Sequence, residues 1–180
     1  METLPVSQYP QAYVDYLAEY YGSRDYFECH EIMEEYWKEH PDSPQLSSWL
    51  VFIRIAVCLY HARRGNWKGA AKLMGKAAQE ADAEQFGKLG MDGAKLKEAL
   101  RSAAQAWSEP NAEYADIELP IVDAALRQAA IDRCGELGYS WGIRGEEAGE
   151  DVIHRHLTRD RTEVVRARAE SAERKANGRG

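Results

Sequence analysis

With 180 residues, 44% of them hydrophobic, the chain is long enough to bury roughly 70% of the surface its unfolded form exposes, which suits one domain with a terminal extension. The net charge of -7 is uneven: residues 153–180 hold eight Arg/Lys against four Asp/Glu, leaving -11 on residues 1–152, and an acidic body argues against a nucleic-acid surface. Three widely spaced cysteines, Cys29, Cys58 and Cys134, make neither a disulfide framework nor a metal knuckle and point to a reducing, cytoplasmic setting.

The opening "METLPVSQYP" has neither the basic nor the apolar region of a secretory signal. Strand signals are nearly absent, and runs rich in Ala, Leu, Glu, Lys and Arg recur at helical spacing, so the expected class is all-α: a compact antiparallel helical bundle with an additional C-terminal helix. Helices are expected at about 9–21, 25–39, 46–64, 66–82, 92–108, 123–137 and 150–175. The first, "YPQAYVDYLAEYY", reads as an aromatic packing surface. Asp25, with Glu28 three residues on, forms a capping box that opens the second helix, and "HPDSP" closes it because proline cannot continue a helix.

The third helix holds the longest apolar stretch, Trp49 to Tyr60, broken by Arg54 and short of the ~20 residues that span a bilayer, so no membrane association is expected. Gly65 suits a left-handed cap and Asn66 an N-cap, which makes the third and fourth helices a tight hairpin. Small residues from Gly69 to Ala78 give the fourth helix a thin body open to close approach. Residues 110–120, between two prolines, read as an extended connector, and Asp123 caps the helix after it. The last helix carries Ile153, Leu157, Val164 and Val165 on a narrow stripe, enough to dock on the bundle or on a second copy; a homodimer through this helix or the aromatic first one is the partner expectation. The organisation is therefore a bundle core over 1–109, a connector and accessory helix over 110–150, and a charged helix and tail over 151–180.

One stretch, "YFECHEIMEEYW", carries the chemistry. At about 100° per residue, Tyr26, Cys29, Ile32, Met33, Tyr36 and Trp37 fill an apolar arc, with His30 and Glu34 along its edge and Glu31 one step towards water. The third helix is apolar nearly all round, yet holds Arg54 and His61 seven residues apart on one stripe. Counting outward from the turn at 40–45 sets Arg54 level with about Glu31, and His61 with about Asp25. His30, Glu31, Glu34, Arg54 and His61 are thus expected to form one polar seam between two helices.

Three chemistries compete for that seam. His30, Glu34 and His61 are metal-ligand types, and a divalent ion such as zinc, manganese or iron held by them would leave Glu31 as general base, by analogy with HExxH, although "HEIME" has Glu34 in place of the second histidine. Alternatively the seam is structural, with Arg54 paired to a glutamate and the chain acting as a non-enzymatic interaction protein. A metal-free acid-base or anion pocket, with Arg54 holding a carboxylate or phosphate, is the third reading. Cys29 and Cys58 read as small buried hydrophobes, and His154 and His156 as solvated residues of the tail.

The run "RDYFECHEIMEEYWKE", followed by "IAVCLYHARRGN" and "GA", resembles the bacterial and archaeal family catalogued as domain of unknown function 309, over about Tyr9 to Ala81. The resemblance implies a compact all-α fold and a generally predicted metal-dependent hydrolase activity. It singles out His30, Glu31, Glu34, Trp37, His61, Gly65, Asn66, Gly69 and Ala70. This chain departs at Arg54, where the family more usually has glutamine. Nothing in the sequence names a substrate.

Overall fold

The element that organises the molecule is α3, Leu46–Arg63, most of whose residues are buried. It is long and apolar enough to cross a membrane by composition, but its apolar surface is covered by α1 (Gln11–Tyr21), α2 (Tyr26–Glu39) and α4 (Trp67–Glu80). The structure, a computed structural model, describes residues 9–155. The helices that follow are α5 (Ala83–Lys88), α6 (Gly93–Trp107), α7 (Ala124–Glu136) and α8 (Glu150–Ile153). Among the described residues there is no strand, only an isolated antiparallel bridge between Met91 and Ile121. The all-α expectation is met.

Contacts between opposite helix ends fix the antiparallel arrangement. Phe27 near the start of α2 meets Tyr60 near the end of α3, and Tyr36 near the end of α2 meets Trp49 near the start of α3. In the same way Trp67, which opens α4, meets Trp107, which closes α6. α1 packs along α2 and α7, and its Tyr13 and Tyr16 rings reach Phe52 of α3.

The tyrosines of α1 are packing residues. The hydroxyls of Tyr13, Tyr16 and Tyr20 donate to the carbonyls of Leu89, Phe52 and Ile117 at 2.7, 2.7 and 2.6 Å, so each ring fills the interior while its polar tip is satisfied. Each such bond contributes about 1 kcal/mol, and together they tie α1 to α3, to the α5–α6 turn and to the connector. The aromatic face of α1 is buried within the chain.

Local chemistry sets most helix ends. The Asp25 side chain accepts from the Glu28 amide at 3.0 Å, and that of Asp123 from the Ala125 amide at 3.0 Å, as the spacing predicts. Gly65 adopts φ +82°, the left-handed value that glycine takes without penalty. Asn66 occupies the N-cap of α4 with no side-chain bond to the helix. α4 turns Ala70, Met74, Ala77 and Ala78 inward, while a Cβ added at Gly75 would meet open space. Close packing through α4 thus comes from its alanines.

Two short elements differ from expectation. α5 falls within a stretch read as a loop; Asp82 caps it by accepting from the Gln85 amide, and Phe86 is its single buried anchor. A 3-10 turn, Gly145–Glu147, precedes α8. Residues 112–120 lie outside any helix or strand, with Ile117 and Leu119 buried. Of the C-terminal helix expected over 150–175 the described part is α8, and Leu157, Val164 and Val165 of its stripe, with His156, lie outside the described residues.

Candidate functional site

Where the first turns of α2 run beside the last turns of α3, the two helices enclose a cavity of about 280 Å³. Tyr26, Phe27 and His30 come from α2; Val57, Tyr60, His61 and Arg64 come from α3 and its cap. Helical periodicity explains the set: Phe27 and His30 are three residues apart, and Val57, His61 and Arg64 are four and three apart, so each group shares a face. Both histidines of the expected seam line this cavity, one from each helix.

Tyr26 forms the fixed wall. Its hydroxyl lies 3.1 Å from that of Tyr114 and 3.3 Å from Arg24 Nη1, and the Tyr114 hydroxyl donates to Asp116 at 2.7 Å. The Arg63 guanidinium lies over the Tyr26 ring, 4.6 Å from its centre, and its Nη1 donates to the Arg24 carbonyl at 2.8 Å. Arg24 sits at φ +55° in the turn between α1 and α2, where its Nε donates to the Ile143 carbonyl at 2.6 Å. Residues from four parts of the chain therefore hold one side of the cavity rigid.

The polar residues differ in state. His30 Nε2 is 2.7 Å from Glu34 Oε2, and the other oxygen of Glu34 is 3.1 Å from Lys38 Nζ. A carboxylate on one ring nitrogen fixes the imidazole and leaves the other nitrogen to act on a ligand, the arrangement of an acid-base pair. His61 is held below the ordinary histidine range by burial first and by the Arg64 charge second, so it is neutral at neutral pH. Its Nδ1 is enclosed and has no hydrogen-bond partner among the described residues. Arg64 donates through Nε to His154 Nδ1 at 3.1 Å and lies over the Tyr60 ring, 5.2 Å from its centre.

Two members of the expected seam lie elsewhere. Arg54 is ion-paired with Glu80 of α4, not with the glutamates of α2. The stripe carrying Arg54 and His61 overlooks the groove between α2 and α4, and at Arg54 the long side chain turns to the α4 side. Glu31 is half-buried on α2 and does not line the cavity. His154, expected to be solvated, is the acceptor for Arg64 and lies 3.5 Å from Glu150.

A three-ligand metal centre asks for donors that converge. Among the described residues no group of three His, Cys, Asp or Glu side chains is placed to hold an ion. Both Glu34 oxygens are already engaged, and the Arg64 cation shares the cavity with His61. The residues present do not fit a His30–Glu34–His61 metal site, and no chemistry is derived through one. The cysteines do not supply ligands either: all three are buried, and burial pushes the Cys58 thiol up to about 12.

A family model described as Domain of unknown function (DUF309) matches residues 13–73, and over 173 residues the chain is 42% identical to "Uncharacterized protein YpuF" of Bacillus subtilis (strain 168), covering 95% of this chain and 99% of that relative. The chain belongs to the DUF309 family. The DUF309 segment runs from α1 into α4 and contains every described residue that lines the cavity. Likeness to the relative extends beyond it over nearly the whole length, connector included. No solved structure matches.

Sequence reasoning missed Phe27, Val57, Tyr60 and Arg64 as lining residues. Part of the signal was available: Val57 and Arg64 share the His61 face by spacing alone. The Arg64–His154 contact had no local signal, because it joins residues far apart in the chain.

Proposed function

We propose that this member of the DUF309 family binds a small organic molecule in the cavity between α2 and α3, with the His30–Glu34 pair positioned to move a proton on that molecule without a metal. The observation that carries this reading is the cavity itself, a largely aromatic concavity on which two histidines and an arginine converge from two helices. Tyr26, Phe27 and Tyr60 supply apolar surface for a ligand body. His30, fixed by Glu34, can exchange a proton at its free ring nitrogen, and neutral His61 can accept or donate a hydrogen bond. Hydrolysis, the reaction class the family resemblance implies, would place His30 as the base for water, with Arg64 beside the developing charge.

The rival reading, a non-enzymatic interaction protein, draws support from Arg54, whose charge is spent on Glu80 in joining α3 to α4. It does not account for the cavity. A fragment screen on the isotope-labelled full chain by nuclear magnetic resonance tests the ligand reading. Hits should perturb the amides of Phe27, His30, Val57 and His61 and vanish in Val57→Trp, which fills the space. A screen whose hits all map elsewhere, with Val57→Trp at least as stable as wild type, would overturn it.

A further inference from the structure

Among the described residues that line the cavity none is a carboxylate, although the chain carries 30 Asp and Glu against 23 Lys and Arg. Arg64 spends only Nε, on His154 Nδ1; its two terminal nitrogens donate to no protein group among the described residues. An arginine edge in an aromatic setting is suited to a planar oxyanion, which it can hold by two parallel bonds.

Size and wall chemistry narrow the ligand further. An apolar cavity of roughly 150 Å³ accommodates benzene, so about 280 Å³ has room for one ring with a short polar arm. Phe27 and Tyr60, with centroids 5.6 Å apart and planes inclined at 58°, put two aromatic rings in the lining. Arg64, the one permanent cation among the described lining residues, compensates one negative charge and leaves a dianion to bear the cost of desolvation.

We propose that the cavity binds a small aromatic monocarboxylate, its ring against Phe27 and Tyr60 and its carboxylate on the terminal nitrogens of Arg64. This rests on the reading of the cavity as a ligand site and adds the class of ligand. The ligand's carboxylate meets the terminal nitrogens of a guanidinium whose Nε is held by His154, the C-cap of α8, so binding draws on the C-terminal side of the molecule as well as on α2 and α3.

The test is calorimetric titration of the full chain with four probes of similar shape: phenylacetate, phenethyl alcohol, phenethylamine and phenyl phosphate. Phenylacetate should bind, with the alcohol and the amine about tenfold or more weaker. Arg64→Gln, checked for folding by circular dichroism, should weaken phenylacetate by about the same factor and erase its advantage over the alcohol. Equal binding of acid and alcohol, or tighter binding of phenyl phosphate, would overturn the monocarboxylate class while leaving the cavity as a ligand site. An undiminished preference for the acid in Arg64→Gln would overturn the role of Arg64. Absence of binding by all four probes, together with fragment hits that ignore Val57→Trp, would remove the ligand site itself.

Discussion

His30 Nε2 and Glu34 Oε2 lie 2.7 Å apart across one helical turn, and Lys38 extends the row by approaching the second oxygen of Glu34 at 3.1 Å. The row is part-exposed, so its net worth to stability is small; its consequence is the orientation of the His30 ring at the cavity wall. Glu34→Ala should cost no more than about 1 kcal/mol in urea denaturation. In long-range proton–nitrogen spectra of the neutral ring, wild type should show His30 protonated at Nε2 and the variant a mixture of tautomers. An unchanged tautomer would mean that Glu34 does not set the ring.

Arg54 and Glu80 give the opposite pattern. The Arg54 side chain is 16% exposed and Glu80 39%, so the cation carries most of the burial. Removing Glu80 leaves a mostly buried charge without its partner, whereas replacing Arg54 by an apolar residue of similar length removes the charge along with the need for a partner. Arg54→Met should therefore be no more destabilising than Glu80→Ala, which should cost about 1 kcal/mol or somewhat more once solvent screening at the exposed carboxylate is allowed for. Fragment binding in the cavity should be unaffected by either change. Loss of cavity binding in Arg54→Met would return Arg54 to the site.

How far the sequence reached depends on whether a feature is local. The Asp25 cap, the Gly65 turn and the Asp123 cap are decided within four residues and were legible from spacing. That His30 and His61 lie at the same end of the α2–α3 pair was legible as well, because a short turn ties α2 to α3 and counting from it fixes the level of each residue to within about a turn. Arg54 was misplaced because a seven-residue spacing fixes the helix face and leaves open which neighbour a long side chain reaches; Glu80, on α4, was the partner. α5 escaped because six residues with one anchor, Phe86, show no periodicity. The Tyr26–Tyr114–Asp116 support and the Arg64–His154 contact exist only once the connector folds back, and no local pattern announces them.

His61 predicts a pH dependence. Its folded-state affinity for protons is depressed below the ordinary value of 6.5 by burial and by Arg64, so between that value and its lower folded one the unfolded chain binds more protons than the folded one. Stability from this group is complete above about pH 6.5 and is lost as pH falls through the folded value. Melting curves from pH 7.5 down to 5 should show wild type losing more than His61→Gln, the difference isolating His61 from carboxylates that titrate in both. Parallel curves would mean that His61 is as easily protonated in the folded chain as in the unfolded one.

Gly93 is the position where backbone meets backbone. It opens α6 against α5, and a Cβ there would run into the Ala83 carbonyl oxygen, with the carbonyl carbon only 2.6 Å away. A flexible side chain could swing aside from such a contact, but a carbonyl within a helix moves only with its helix. Gly93→Ala should therefore destabilise by about 2 kcal/mol, even though alanine is the better helix former. At about 2–4 °C per kcal/mol for a chain of this size, the melting temperature should fall by about 4–8 °C. Gly75→Ala is the internal control, since its added Cβ meets nothing and the substitution gains helix propensity. Its melting temperature should hold or rise. A Gly93→Ala protein as stable as this control would mean that α5 and α6 do not approach as closely as the backbone at Gly93 and Ala83 requires.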